Sequence, residues 1–225
     1  MKKRMILILL SCFTILILIG CNEDVPVMEN VEDSKMERAS TLTLSPSEFI
    51  KGDSEVLEAH FDDWQTGKVN LQYTGDEKLF AISYDIYEQG NITKSSPLIS
   101  TFNKGKFDGK LLISLIDEDT SADLKKYNLG LQIIDESSKS TVNSDIPEFQ
   151  ILDGAAHMIW KLNKEIILQE KEEAIVWGYL ANENSLISPN ILTEENLKKD
   201  YDFAFVIKVT LIDEEDYDME GKQDG

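Results

Sequence analysis

Tyr201-Asp202-Phe203-Ala204-Phe205-Val206-Ile207-Lys208-Val209-Thr210-Leu211 carries a large apolar side chain at every odd position. Asp202, Lys208 and Thr210 are polar on the even positions, where Ala204 and Val206 are the exceptions. Successive side chains on a strand point to opposite faces, so this period of two predicts a β-strand with one face in a core. The same pattern recurs in Val69, Leu71 and Tyr73, in Ile113 with Leu115, and in Tyr127, Leu129, Leu131 and Ile133. Two longer strands are expected, Leu79 to Tyr87 before the turn Gln89-Gly90-Asn91, and Ala174 to Ala181 before Asn182-Glu183-Asn184. Gly75-Asp76, Asp108-Gly109 and Asp153-Gly154 read as further turns. About eight strands with hairpin-length gaps predict an all-β, antiparallel sandwich.

Helix is scarce. Thr193 has the chemistry of an N-cap, with Glu194 and Glu195 in the first turn and Lys198 and Lys199 in the last, matching the helix dipole at both ends. Thr120, Asp123, Lys125 and Lys126 repeat that layout. Each helix is one or two turns, so the alternating rhythm of a parallel α/β fold is missing.

The 42 acidic and 22 basic residues give a net charge of −20. Such a surface repels phosphate polymers, so nucleic acid is not an expected partner. Cationic ligands, basic proteins and divalent metals are what its field attracts. Only two cysteines occur, Cys12 and Cys21. The first lies inside the N-terminal apolar run and the second just past its end, leaving the rest of the chain no thiol for a disulfide or a zinc-thiolate site.

The N-terminal residues carry the clearest motif. Lys2, Lys3 and Arg4 precede an apolar run from Met5 to Ile19, shorter than the roughly 20 residues of a comfortable membrane span. The run closes on Leu18-Ile19-Gly20-Cys21, which resembles the lipobox of bacterial lipoproteins. That resemblance implies cleavage before Cys21, a diacylglyceryl thioether on its sulfur, and a protein held at the outer face of the cell membrane. Two acyl chains anchor durably, at about 0.8 kcal/mol per buried methylene. Losing the three basic residues at the head takes the net charge from −20 to about −23.

The expected organisation is a signal peptide over 1–20 and a lipidated, acidic, flexible tether over 21–46. Two β-modules follow over 47–142 and 143–215, with an acidic tail over 216–225. Some 25 residues of coil would reach on the order of 25 to 30 Å from the lipid. The division into two rests on a faint repeat. Leu124-Lys125-Lys126-Tyr127 and Leu197-Lys198-Lys199 with Tyr201 each lead into an alternating strand ending in Ile-Asp-Glu. A turn, a tyrosine and alternating apolar residues are similar to the tyrosine-corner strand of immunoglobulin-like sandwiches. The inter-sheet cysteine pair of that family is lacking, and one larger sandwich is the alternative.

Catalytic motifs are sparse. Gly52-Asp53-Ser54 is superficially similar to the nucleophile block of the SGNH esterases, but Asp153 and His157 are one residue too far apart to complete it. His60, Asp62 and Asp63 could reach a metal only through a turn. Calcium suits the excess of hard oxygen ligands better, with Asp117, Asp119 and Asp123 in one loop and Asp213 and Asp216 in another as weak candidates. Trp160 and Trp177 sit in strand contexts and are expected in the core, whereas Trp64 is the aromatic candidate for ligand binding. The expectation is a non-enzymatic, extracytoplasmic lipoprotein that binds or scaffolds a protein partner, with no cofactor beyond its lipid. Neutralising a basic toxin or peptide, and an enzyme with an unrecognised acidic site, are the alternatives.

Overall fold

The structure is a computed structural model. It describes residues 40–47, 65–117, 127–136, 138–145, 155–183 and 186–212, and within the strands it leaves out the side chains of 76–79, 101–104, 117 and 145. Among these residues nine strands run β1 Thr41–Pro46, β2 Gln65–Glu88, β3 Asn91–Asp117, β4 Tyr127–Asp135, β5 Lys139–Asp145, β6 Ala156–Lys161, β7 Ile166–Leu168, β8 Glu173–Asn182 and β9 Phe203–Ile212. One helix, α1 Glu194–Asp200, precedes β9.

All pairings among the described residues are antiparallel. The two longest strands organise the fold, because β2 has 24 residues and β3 has 27 and each serves two sheets. The first half of β2 pairs with β1 and with the second half of β3, in a six-stranded sheet ordered β7-β1-β2-β3-β4-β5. Its second half pairs with β9 and with the first half of β3, in a five-stranded sheet ordered β3-β2-β9-β8-β6. The result is the expected all-β sandwich.

Two expected turns are corrected by this arrangement. Gly75-Asp76 lies inside β2, where the strand passes from one sheet to the other and its register against β3 slips between Gly75 and Lys78. Asp108-Gly109 lies inside β3, and the missing side chain of Gly109 makes room for the Phe107 ring beside the Ile134 carbonyl. The turn at Gln89-Gly90 is real. Both residues have positive φ, 51° and 76°, the conformation that a two-residue hairpin loop requires. Asp153-Gly154 and the helix expected at Thr120 lie outside the described residues.

The division near residue 143 is corrected as well. Ten consecutive residue pairs, from Leu79 with Ile212 to Glu88 with Phe203, join β2 to β9 across that boundary. All nine described strands fall in one compact unit, so the single larger sandwich is the architecture. The tether expected over 21–46 is corrected at its C-terminal end, because Thr41–Pro46 pairs with β2 and buries Leu42 and Leu44 in the core.

The two sheets meet through side chains that the alternation had assigned to a core. Leu71, Leu111, Leu129, Trp177, Phe205 and Val209 are almost wholly buried. Trp177 of the smaller sheet donates its Nε1–H to the Thr66 carbonyl of the larger one at 3.3 Å, and the Tyr127 and Tyr179 rings lie 6.1 Å apart. Trp160 is buried too.

In β9 the one-sided reading holds only for its second half, because Phe203 to Ile207 are buried on both faces. The cause is the segment 186–200, a strap that crosses the outer face of the smaller sheet. Its own Leu192 and Leu197 are buried, and a Cβ at Gly178 would sit 3.3 Å from Leu192 and 3.2 Å from Val206. Trp160 Nε1 donates to the Pro189 carbonyl at 2.9 Å and Tyr201 Oη to the Ile187 carbonyl at 2.5 Å, pinning the strap from both sides. Thr193 caps α1 as expected, accepting from Asn196 N while Asn196 Oδ1 accepts from Thr193 N. No helix among the described residues is long and apolar enough to cross a membrane.

Candidate functional site

Of the residues singled out in the sequence, Cys21, Trp64, Asp119, Asp123, Asp213 and Asp216 lie outside the described residues, as do His60 and the Gly52-Asp53-Ser54 block. Asp117 closes β3 opposite Tyr127. Among the described residues no three His, Cys, Asp or Glu side chains converge as metal ligands. His157 stands exposed on β6, its ring stacked on Tyr179 at 5.7 Å.

The largest sheet instead forms a recess on its outer face, where reading along one strand could not find it. Register places Thr66, Ser114, Gly130 and Asn143 in one row across β2, β3, β4 and β5. Two residues along, Leu112, Gln132 and Thr141 form the next row. Gly130 has no side chain to fill the middle of its row. A Cβ there would meet Ser114 Oγ at 2.6 Å and Asn143 Oδ1 at 3.5 Å, so the gap is bounded by a hydroxyl on one side and a carboxamide on the other. The space is about 230 Å³, open to solvent and lined also by Leu112, Gln132 and Thr141.

Among the described residues none that lines the recess is ionisable, in a chain whose net charge is −20. The hydroxyls and carboxamides both donate and accept hydrogen bonds, while Leu112 offers an apolar wall. Ser114 Oγ is half engaged, donating to the Gly130 carbonyl at 3.3 Å. This set of groups can hold and orient an uncharged partner group by hydrogen bonding.

A second polar cluster lies on the outer face of the smaller sheet. Lys208 Nζ sits 2.7 Å from Asp85 Oδ2 and 3.3 Å from Glu173 Oε2, and Ser95 Oγ donates to Asp85 Oδ1 at 2.6 Å. Burial alone would lower the Lys208 pKa, but the Asp85 carboxylate, helped by Glu173, outweighs it and holds the ammonium above its ordinary range. Nearby, burial pushes the Tyr87 hydroxyl well up, reinforced by the charges of Glu194, Asp85 and Glu173. Tyr87 Oη is enclosed and has no hydrogen-bond partner among the described residues. With Asp85 and Lys208 neutralising each other beneath the surface, the cluster reads as a structural ion pair.

Compared with known proteins, the chain matches no family model, no curated protein and no solved structure.

Proposed function

We propose that this chain is an extracytoplasmic binding module, held at the cell membrane by lipid on Cys21, that engages its partner through the recess over Gly130. Leu18-Ile19-Gly20-Cys21 supports the anchoring. The neutral recess carries the binding half of the reading. Its groups suit an uncharged, hydrogen-bonding part of a partner, such as a backbone amide or a Ser, Thr, Asn or Gln side chain on a protein. A neutral patch on so acidic a surface is also where a partner can sit closest without desolvating a charge.

The test is in-cell crosslinking capture of the tagged full-length chain, compared with Gly130→Ala and Cys21→Ala. Gly130→Ala puts a methyl group into the middle of the recess between Ser114 and Asn143, and Ser114 can rotate away from it. The expected result is a partner captured by the unaltered chain and lost with Gly130→Ala at unchanged thermal stability. Cys21→Ala is expected to leave the membrane fraction or to stall unprocessed. Capture unaffected by Gly130→Ala would remove the recess from the reading, and Cys21→Ala retained on membranes at mature size would remove the anchor.

A further inference from the structure

The recess ends at β5, an edge of the larger sheet, and the sequence of that strand has a symmetry of its own. Lys139-Ser140-Thr141-Val142-Asn143-Ser144-Asp145 is self-complementary when laid antiparallel to a copy of itself. With Val142 on a two-fold axis, Lys139 falls opposite Asp145, Ser140 opposite Ser144, and Thr141 opposite Asn143. A two-fold interface needs this property, since each residue must be compatible with its mate in both directions.

Edge strands usually carry devices that prevent such pairing: brevity, proline, bulges or an unmatched charge. The other described edges have them. β7 is only three residues long. The first half of β3 carries Lys94 and Pro97 and two slips of register. β6 ends in Lys161 with no acid at its start, and its Trp160 is tied to the strap. By contrast, β5 runs seven residues in unbroken register against β4, without proline, and its five central residues are uncharged. Lys139 to Thr141 and Asn143 are exposed, with Val142 and Ser144 half-buried. No described strand pairs with its outer side.

We infer that β5 pairs with β5 of a second copy of this chain, antiparallel about Val142, making one continuous sheet across two molecules. The charge pattern selects this occupant over an unrelated strand. Lys139 of each copy faces an acid, and the strand centre brings no charge into the seam. Thr141 and Asn143 line the recess, so pairing sets the recesses of both copies side by side across the axis. The remaining charge of −20 on each copy opposes association, but it is screened beyond about 8 Å at physiological ionic strength. This inference does not depend on what the recess binds or on the lipid.

Cysteine crosslinking of the full-length chain tests it. Across an antiparallel pair opposite Cα atoms lie about 4.5 to 5.5 Å apart, within disulfide range. Val142→Cys is therefore expected to give, with a mild oxidant, a species at twice the mass of the single chain, above the background of the exposed control Lys164→Cys. Thr141→Cys and Asn143→Cys alone place their mates about 8 Å apart and should not link, whereas the double variant should. Lys139→Asp should reduce the Val142→Cys dimer, and adding Asp145→Lys should restore it. The inference is overturned if Val142→Cys links no better than Lys164→Cys, if Thr141→Cys alone links equally well, or if Val142→Cys links only to other proteins.

Discussion

Asp85 and Lys208 form an ion pair 2.7 Å long between adjacent strands β2 and β9, with the carboxylate 1% and the lysine 12% exposed. Register sets Asp85 opposite Val206 and Ser83 opposite Lys208, so the two charged side chains meet diagonally on one face.

Removing one partner strands the other. Asp85→Ala leaves a largely buried ammonium with only half-exposed Glu173 nearby, and is expected to cost about 3 to 5 kcal/mol. The pair itself adds much less, so the joint replacement Asp85→Leu with Lys208→Met should recover most of that loss. Urea unfolding midpoints of the three variants check this. A single variant as stable as the parent would mean the pair is solvated.

Alkaline stability follows from the raised pKa values of Lys208 and Tyr87. For each group the folded value lies above the unfolded one. Their contribution is therefore complete below the unfolded values, near pH 10, and is lost as pH rises through the folded values. Stability should fall above about pH 10, and Tyr87→Phe should flatten the decline. At neutral pH the same variant removes an enclosed hydroxyl that has no partner, and should stabilise the fold by about 1 kcal/mol. Thermal melts across pH measure both effects.

Gly67 faces the Trp177 indole so closely that a Cβ would overlap it. Gly67→Ala should push the two sheets apart locally, at about 1 to 3 kcal/mol. Trp177→Ala should cost about 3 to 5 kcal/mol, through the cavity left between the sheets. If the overlap is the cause, Gly67→Ala added to Trp177→Ala costs almost nothing more, and denaturant titration of the double variant reads this directly.

The strap is held by Trp160 and Tyr201, whose polar tips reach the Pro189 and Ile187 carbonyls. Tyr201→Phe removes one tie while keeping the ring, and should cost about 0.5 to 1.5 kcal/mol. Hydrogen exchange should rise in residues 186–193 while β4 stays protected. Thr193→Ala removes the helix cap, for about 1 kcal/mol more, and should extend the faster exchange into α1.

The longer alternating strands and the cap of α1 could be read directly from the sequence, whereas β1, β5 and β7 could not. Alternation in Leu129, Leu131 and Ile133, and the Thr193 cap with its flanking charges, are local patterns that one segment carries by itself. Tertiary structure decided where Gly75-Asp76 and Asp108-Gly109 would lie, because a glycine-acid pair is as compatible with a strand changing sheets as with a turn, and only long-range pairing chooses. It also decided the second buried face of β9, since Ala204 and Val206 needed the strap to cover them. The recess is the strongest case. Thr66, Ser114, Gly130 and Asn143 belong to four strands, and they become neighbours only through the register that core packing imposes. A period of two tells which face a side chain takes, and only the assembled sheet tells what stands beside it.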